Sequence, residues 1–136
     1  MTEDDIKSSI KKEEGLKLKI YYDTKGNPTG GYGHFFSKNS PLSLQVSELL
    51  FKEDYDRACS DYIKLKLQLD TVRRSVLIDM LFNMGYTRVL KFEQFLKALR
   101  NNDWQKAHDE LKDSDYARDL VNRSERNAAK ILTGQV

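Results

Sequence analysis

Two acidic residues and a hydroxyl stand close together near the start of this 136-residue chain. Glu14 ends a charged run, Asp23 follows a strand-like alternation, and Thr29 opens a glycine-rich segment, Gly30-Gly31-Tyr32-Gly33-His34. A hairpin that folds Thr29 back beside the acids would let all three share one cleft. Two carboxylates across a cleft are the minimum equipment for hydrolysing a glycosidic bond. One must be protonated, to donate to the leaving oxygen. The other must be ionised, to activate water, attack carbon or stabilise the oxocarbenium-like transition state. Glu14, in the last turn of a helix at the negative end of its dipole, suits the first role. Asp23, in a polar turn beside Thr24 and Lys25, suits the second, and Thr29 is placed to hold a water. Both acids also have a plainer reading: Glu14 as the solvated end of a charged helix, Asp23 as a turn former.

The remaining polar motifs are less specific. The glycine-rich run lacks the strand–helix frame and the spacing of a phosphate-binding loop. His34 reads as structural, holding the sheet through a buried hydrogen bond. His108 is the only other histidine, and neither sits at metal-ligand spacing, so no metal and no cofactor are expected.

The elements that must position these residues follow from periodicity. Residues 2–14 read as a helix, with Thr2 at its start, Glu3, Asp4 and Asp5 in the first turn, Ile6 and Ile10 on one face, and Gly15 at its end. Leu16, Leu18, Ile20 and Tyr22 alternate with Lys17, Lys19 and Tyr21, as in a strand. Asp23 to Pro28 supplies turn residues. A long helix is predicted over 44–66, capped by Ser43. Its apolar stripe is Val46, Leu49, Leu50, Tyr55, Ala58, Cys59 and Tyr62. Asp70 caps a helix over 72–84 that is apolar nearly all round, suited to the centre of a bundle and stopped by Gly85. Further helices are predicted at about 89–100, 103–112 and 114–132, whose aromatics read as core rather than as a substrate platform. The fold class is therefore α+β and mainly helical, in one domain. A small lobe of about residues 13–42 carries a hairpin or three-stranded sheet. The long helix, about 43–66, joins it to a helical lobe of about 67–136, with helix 2–14 packing near the latter and a cleft between the lobes.

Bulk properties narrow the partners. Hydrophobic content of 39% and charged content of 32% are ordinary for a globular chain, and a net charge of +2 is too small for a nucleic-acid binder. Arg73-Arg74 sit on the apolar helix, where structural ion pairs are expected. A single cysteine, Cys59, means the fold does not depend on oxidation, which favours a reducing cytoplasm. The start, MTEDDIKSS, is neither a secretory signal nor an anchor, and no apolar run approaches the roughly 20 residues that span a bilayer. Action outside the cytoplasm would require a separate release step.

The run Glu14-Gly15-Leu16, then Tyr21-Tyr22-Asp23-Thr24, Gly26 and Thr29-Gly30-Gly31-Tyr32-Gly33-His34, resembles the active-site segment of the phage-type lysozymes. The likeness continues through Leu69-Asp70, Val72-Arg73-Arg74, Ile78-Asp79-Met80, Phe82-Asn83-Met84-Gly85, Phe92, Leu96, Trp104, Ala107 and Thr133-Gly134, so it covers most of the chain. It implies a lysozyme-like fold and a peptidoglycan N-acetylmuramidase, a bacteriolytic endolysin that serves host lysis. Glu14 would be the general acid, Asp23 the second catalytic carboxylate and Thr29 the water-positioning hydroxyl. Phe35, Phe82 and Asn83 match positions that line the saccharide cleft, and Arg123 matches an arginine that pairs with the catalytic acid. The implied partners are peptidoglycan glycan strands, with no nucleic acid, no membrane insertion and a monomeric state. An endolysin made in the host bacterial cytoplasm would need a holin or other release factor to reach the periplasmic wall; a virion tail is the other setting.

The chain departs from the family in several places. The connection from His34 to the long helix is shorter, so a small-lobe helix is expected to be missing, as is the last helix after Thr133-Gly134. Gly30 stands where a β-branched residue is usual, Pro28 precedes Thr29, and polar contact residues are replaced at Phe95 and Glu110. The competing function is a catalytically silent peptidoglycan-binding or virion structural module of the same fold. The intact Glu14, Asp23 and Thr29 set weighs against it.

Overall fold

Thr2 starts the first helix, α1 (Glu3–Glu14), with a reciprocal cap: its Oγ1 accepts from the Asp5 amide at 3.1 Å, and its own amide donates to Asp5 Oδ2 at 2.8 Å. Glu3, Asp4 and Asp5 lie at the positive end of the dipole, and Lys11 and Lys12 at the negative end. Gly15 ends the helix at φ +70°, its amide donating to the Lys11 carbonyl at 2.8 Å. The computed structural model describes residues 1–136. It groups α1 with the sheet in one compact unit, Met1–Leu44, and the remaining helices in a second, Gln45–Val136.

In the first unit, β1 (Lys17–Tyr22), β2 (Pro28–Gly31) and β3 (His34–Phe35) form an antiparallel sheet in the order β1-β2-β3. The alternation along β1 predicts a buried apolar face, yet all six of its residues are exposed. β1 is an edge strand, and irregular pairing between Lys17 and Tyr21 breaks its register, so its side chains do not form one continuous face. The return leg, predicted as one stretch from Thr29 to His34, divides in two. Gly31 and Gly33, at φ +61° and +68°, turn the chain around Tyr32.

The second unit opens with α2 (Leu44–Lys64), two residues shorter than predicted because the chain leaves helical geometry and Lys66 takes a left-handed φ of +54°. Its predicted apolar stripe is only partly covered. Ala58 is buried and Cys59 and Tyr62 are half-buried, whereas Val46, Leu49, Leu50 and Tyr55 are exposed. The reason is where the core lies: it is built from α3 onward, and only the C-terminal half of α2 borders it. Asp70 caps α3 (Thr71–Met84) by accepting from the Arg73 amide at 3.0 Å. Val76, Leu77, Met80 and Leu81 of α3 are buried among Phe95, Leu99, Leu111 and Ile131, contributed by later helices. Those helices are α4 (Tyr86–Leu90), α5 (Glu93–Arg100), α6 (Trp104–Lys112), α7 (Asp115–Asp119) and α8 (Val121–Thr133). The predicted spans 89–100 and 114–132 are each two helices. Phe92 and Leu120, at ψ +59° and +65°, step out of helical geometry with no glycine or proline to announce it. The aromatics fill the core as predicted: Phe95 is 1% exposed, and Phe92 and Trp104 pack against its edge.

Arg73 ties two of these helices together. Its Nε donates to the Ile131 carbonyl at 2.6 Å and its Nη2 to the Leu132 carbonyl at 3.2 Å, satisfying the C-terminal end of α8. Nη1 pairs with Asp70 at 2.9 Å, and the guanidinium lies 3.9 Å over the Trp104 ring. Gly134 completes the fit, since a methyl there would stand 2.9 Å from Nη1. Arg73→Ala should therefore lower stability by about 2–3 kcal/mol, the order of hydrogen bonds to a charged group. Arg73→Lys should recover less than half, because an ammonium cannot make the forked contact. Urea unfolding reads both, and a loss near zero for Arg73→Ala would remove Arg73 from this role.

Candidate functional site

The loop between β1 and β2 is built on Gly26. Its amide donates to the Asp23 carbonyl at 2.9 Å, and its φ of +80° is the left-handed position that a three-residue hairpin loop requires. The Asp23 amide then donates to the Asn27 carbonyl at 2.9 Å. In return, the Asn27 amide donates to Asp23 Oδ1 at 2.8 Å, and the Lys25 amide reaches the same oxygen at 2.9 Å. The Asn27 amide is the main reason that the Asp23 carboxyl lies below its usual value, against a smaller opposing effect of desolvation. Turn forming and a preference for the ionised state are here one arrangement, to which the Asn27 side chain adds a smaller contribution.

The Asn27 carbonyl has a second donor, Thr29 Oγ1, at 3.0 Å. Thr29 is 6% exposed. With its proton committed, its oxygen can orient a water only by accepting from it. Thr29 also pairs with Tyr21 on one side and Phe35 on the other. Residues directly opposite in antiparallel strands share a face, so Tyr21, Thr29 and Phe35 form a row, with Tyr21 and Phe35 exposed.

Glu14, the last residue of α1, is exposed and lies against the turn between β2 and β3. A methyl built on Gly33 would stand 2.9 Å from the Glu14 carboxyl carbon and 3.4 Å from its Cβ. One turn back, Lys11 Nζ lies 5.1 Å from the Tyr32 ring centroid, a cation–π contact. The glycine-rich run, weak as a motif, is thus the surface that meets the last turn of α1. His34 does not match its expected role. It is exposed on the edge strand β3 and meets Phe36 edge-on at 4.6 Å between centroids, rather than holding the sheet through a buried hydrogen bond.

Phe82, Asn83 and Arg123 belong to the second unit. Arg123 grips Asp79 with two prongs, Nε to Oδ2 at 2.9 Å and Nη2 to Oδ1 at 2.5 Å. Asn127 Nδ2 donates to the same Oδ2 at 2.8 Å and to the Tyr116 hydroxyl at 2.8 Å. Burial pushes the Asp79 carboxyl up, but the Arg123 and Asn127 hydrogen bonds and the Arg123 charge outweigh it and leave it below its usual value. Phe82 lies 5.5 Å from the Phe51 ring and lines a hollow of about 470 Å³ with Phe51, Tyr55, Arg74, Asp79 and Arg123. Arg73 forms the ion pair expected of it, while Arg74 lines this hollow. The neighbouring Asn83 lines a different cavity of about 680 Å³, together with Glu110 and Tyr116.

The first unit therefore holds Glu14, Asp23, Thr29, His34 and Phe35, and the second holds Phe82, Asn83 and Arg123. Sequence reasoning missed Asn27, the contact of Gly33 with Glu14, and the Asp79–Asn127–Tyr116 network. The Asp-x-x-Gly-Asn spacing is a signal for the first, through its turn type. The sequence pattern carries no mark of the others, which depend on contacts between separate elements.

The family profile described as phage lysozyme matches residues 11–127. The probable T4-type lysozymes 1 and 2 of Dictyostelium discoideum are each 31% identical to the chain, over 95% of it and 94% of their own length. The pre-baseplate central spike protein Gp5 of Enterobacteria phage T4 is 32% identical over 93% of the chain, which corresponds to 27% of that protein.

The Asp79 pair predicts a pH dependence. A carboxyl held below its usual value of 3.8 in the folded state contributes stability that is full above that value and lost as pH falls through the lowered one. Asp79→Asn should flatten the acid limb of the stability curve below about pH 5. At pH 7 it should cost about 1–2 kcal/mol, discounted for screening because both side chains are 34% exposed. Urea midpoints measured across pH check this, and unchanged acid limbs would assign the titration to another group.

Proposed function

The chain belongs to the phage lysozyme family, and from that premise we propose that it is a peptidoglycan N-acetylmuramidase. Its lysozyme-type function and glycoside hydrolase class come with the family and the T4-type relatives. The finer reading is cleavage of the β-1,4 bond between N-acetylmuramic acid and N-acetylglucosamine. The observation that carries it is the Asn27 carbonyl, which binds the Asp23 amide and the Thr29 hydroxyl at once.

In this reaction Glu14 donates its proton to the glycosidic oxygen as the bond to the anomeric carbon breaks. A water held by Thr29 and Asp23 attacks that carbon from the opposite face and gives its proton to Asp23, so the anomeric centre inverts. Phe35 offers an apolar face to a sugar ring beside Thr29. Phe82 and Asn83 bind substrate, and Arg123 braces the second unit through Asp79. The two units work as a single lysozyme-like domain, as a monomer and without a cofactor.

We assign peptidoglycan glycan strands as the substrate and host-cell lysis as the role. No helix is long and apolar enough to cross a membrane; in the endolysin setting we assign release to a holin or other release factor. The likeness to a pre-baseplate spike protein favours a second setting, carriage on a virion, in which the same domain opens the wall locally or serves as a silent structural module.

Clearing of a purified peptidoglycan suspension tests the assignment. Glu14→Gln should lower turnover by at least about a hundredfold, within the roughly 10²–10⁴ that general acid catalysis contributes. Thr29→Ala should lower turnover while leaving sedimentation with the wall intact. Equal clearing by wild type and Glu14→Gln would reject Glu14 as the acid. Wall binding with no clearing by either would select the silent module.

A further inference from the structure

We propose that Gly33 is a positioning residue for Glu14, and that its missing side chain sets where the acid's carboxyl group sits. The inference rests on the reading of Glu14 as the acid. The first side-chain carbon of any L-residue at 33 would lie 2.9 Å from the Glu14 carboxyl carbon. Carbon atoms in favourable contact stand about 3.5–4.0 Å apart, so the carboxyl would have to retreat by roughly 0.6–1 Å. Its own Cβ, at 3.4 Å, is already close and limits how the side chain can swing. Lys11, on the same last turn of α1, lies over the Tyr32 ring beside Gly33 and is a second point at which that turn of helix meets the β2–β3 turn. What can yield is the far end of Glu14, which is the end that does chemistry.

This sets Gly33 apart from its neighbour. Gly31 has nearly the same backbone, φ +61° against +68°, but a methyl there would meet nothing within 4 Å. Both positions carry the left-handed conformation that favours glycine. A substitution at either therefore strains the backbone in the same way, and only the one at 33 pushes on Glu14. A displacement near 1 Å of a reacting group costs about 10²-fold in rate.

The test compares Gly33→Ala with Gly31→Ala in the full chain. Gly33→Asn serves as a second variant, because asparagine tolerates a left-handed backbone yet carries the same first carbon. Circular dichroism and thermal unfolding establish that each variant folds. Clearing kinetics on peptidoglycan should show kcat down by roughly 10²-fold for both Gly33 variants with little change in KM, and Gly31→Ala within a few-fold of wild type. The ¹³C shift of the labelled Glu14 side-chain carboxyl, at fixed pH, should move in the Gly33 variants and stay put in Gly31→Ala. Equal losses at 31 and 33 with an unmoved Glu14 signal would overturn the proposal in favour of backbone strain. Full activity in a folded Gly33 variant would overturn it as well. If wild type does not hydrolyse peptidoglycan, the muramidase reading fails, while the carboxyl signal still decides whether Gly33 places Glu14.

Discussion

A single carbonyl oxygen, that of Asn27, joins the main polar groups of the first unit. It accepts from the Asp23 amide at 2.9 Å and from the Thr29 hydroxyl at 3.0 Å, while its own residue's amide returns a bond to Asp23 Oδ1. A backbone carbonyl has two lone pairs, and both are used here. The bond to Asp23 closes the hairpin loop, and the bond to Thr29 fixes a side chain on the returning strand. Neither group can shift without opening a loop whose path is already restricted by the left-handed Gly26. Geometry that is usually spread over several elements is compressed into seven residues.

The second unit uses charge for a similar end. Arg73 satisfies carbonyls at the end of α8 from a position on α3, with Asp70 and the Trp104 ring limiting its freedom. Arg123 and Asp79 run the same connection in reverse, from α8 to α3, with Asn127 donating to the carboxylate from behind and also to the Tyr116 hydroxyl. Two arginines thus brace the same helix pair at different points along it. A guanidinium is suited to both because its planar fork makes parallel bonds that an ammonium cannot. The pair with Asp79 also has a chemical consequence within its unit: the Arg123 charge is balanced by a fixed anion.

Much of this was legible in the residues. Caps and stops at Thr2, Gly15, Asp70 and Gly85 mark helix ends because they act locally, through one or two hydrogen bonds near in sequence. The hairpin was legible for the same reason. Three features were not. The exposure of β1 depends on which elements cover it, and alternation alone cannot report that. The breaks at Phe92 and Leu120 involve residues that are ordinary helix members elsewhere. His34 carries the same letter whether buried or exposed, and its setting on a two-residue edge strand decides the matter. At the candidate site, the types and order of Glu14, Asp23 and Thr29 were readable. Their surroundings were not, since Gly33 matters through a contact with a residue nineteen positions away.

The hydrogen-bond directions around Asp23 and Thr29 bear on which chemistry they can do. Thr29 has given its proton to Asn27, and an ionised Asp23 has none, so both can only accept. A water placed against two acceptors must point both hydrogens at them. Its lone pairs then face away, toward whatever lies beyond. That orientation suits an attacking nucleophile better than a leaving group's proton donor, and it is independent of how the substrate is bound. If Thr29 donated to the water instead, a lone pair would be engaged and the attack weakened. The Asn27 carbonyl therefore does more than close a turn: by taking the Thr29 proton, it assigns the hydroxyl an acceptor's role. Glu14 lies outside this set of bonds, at the end of α1 and against Gly33, and the proposed reaction gives it the opposite task, that of proton donor.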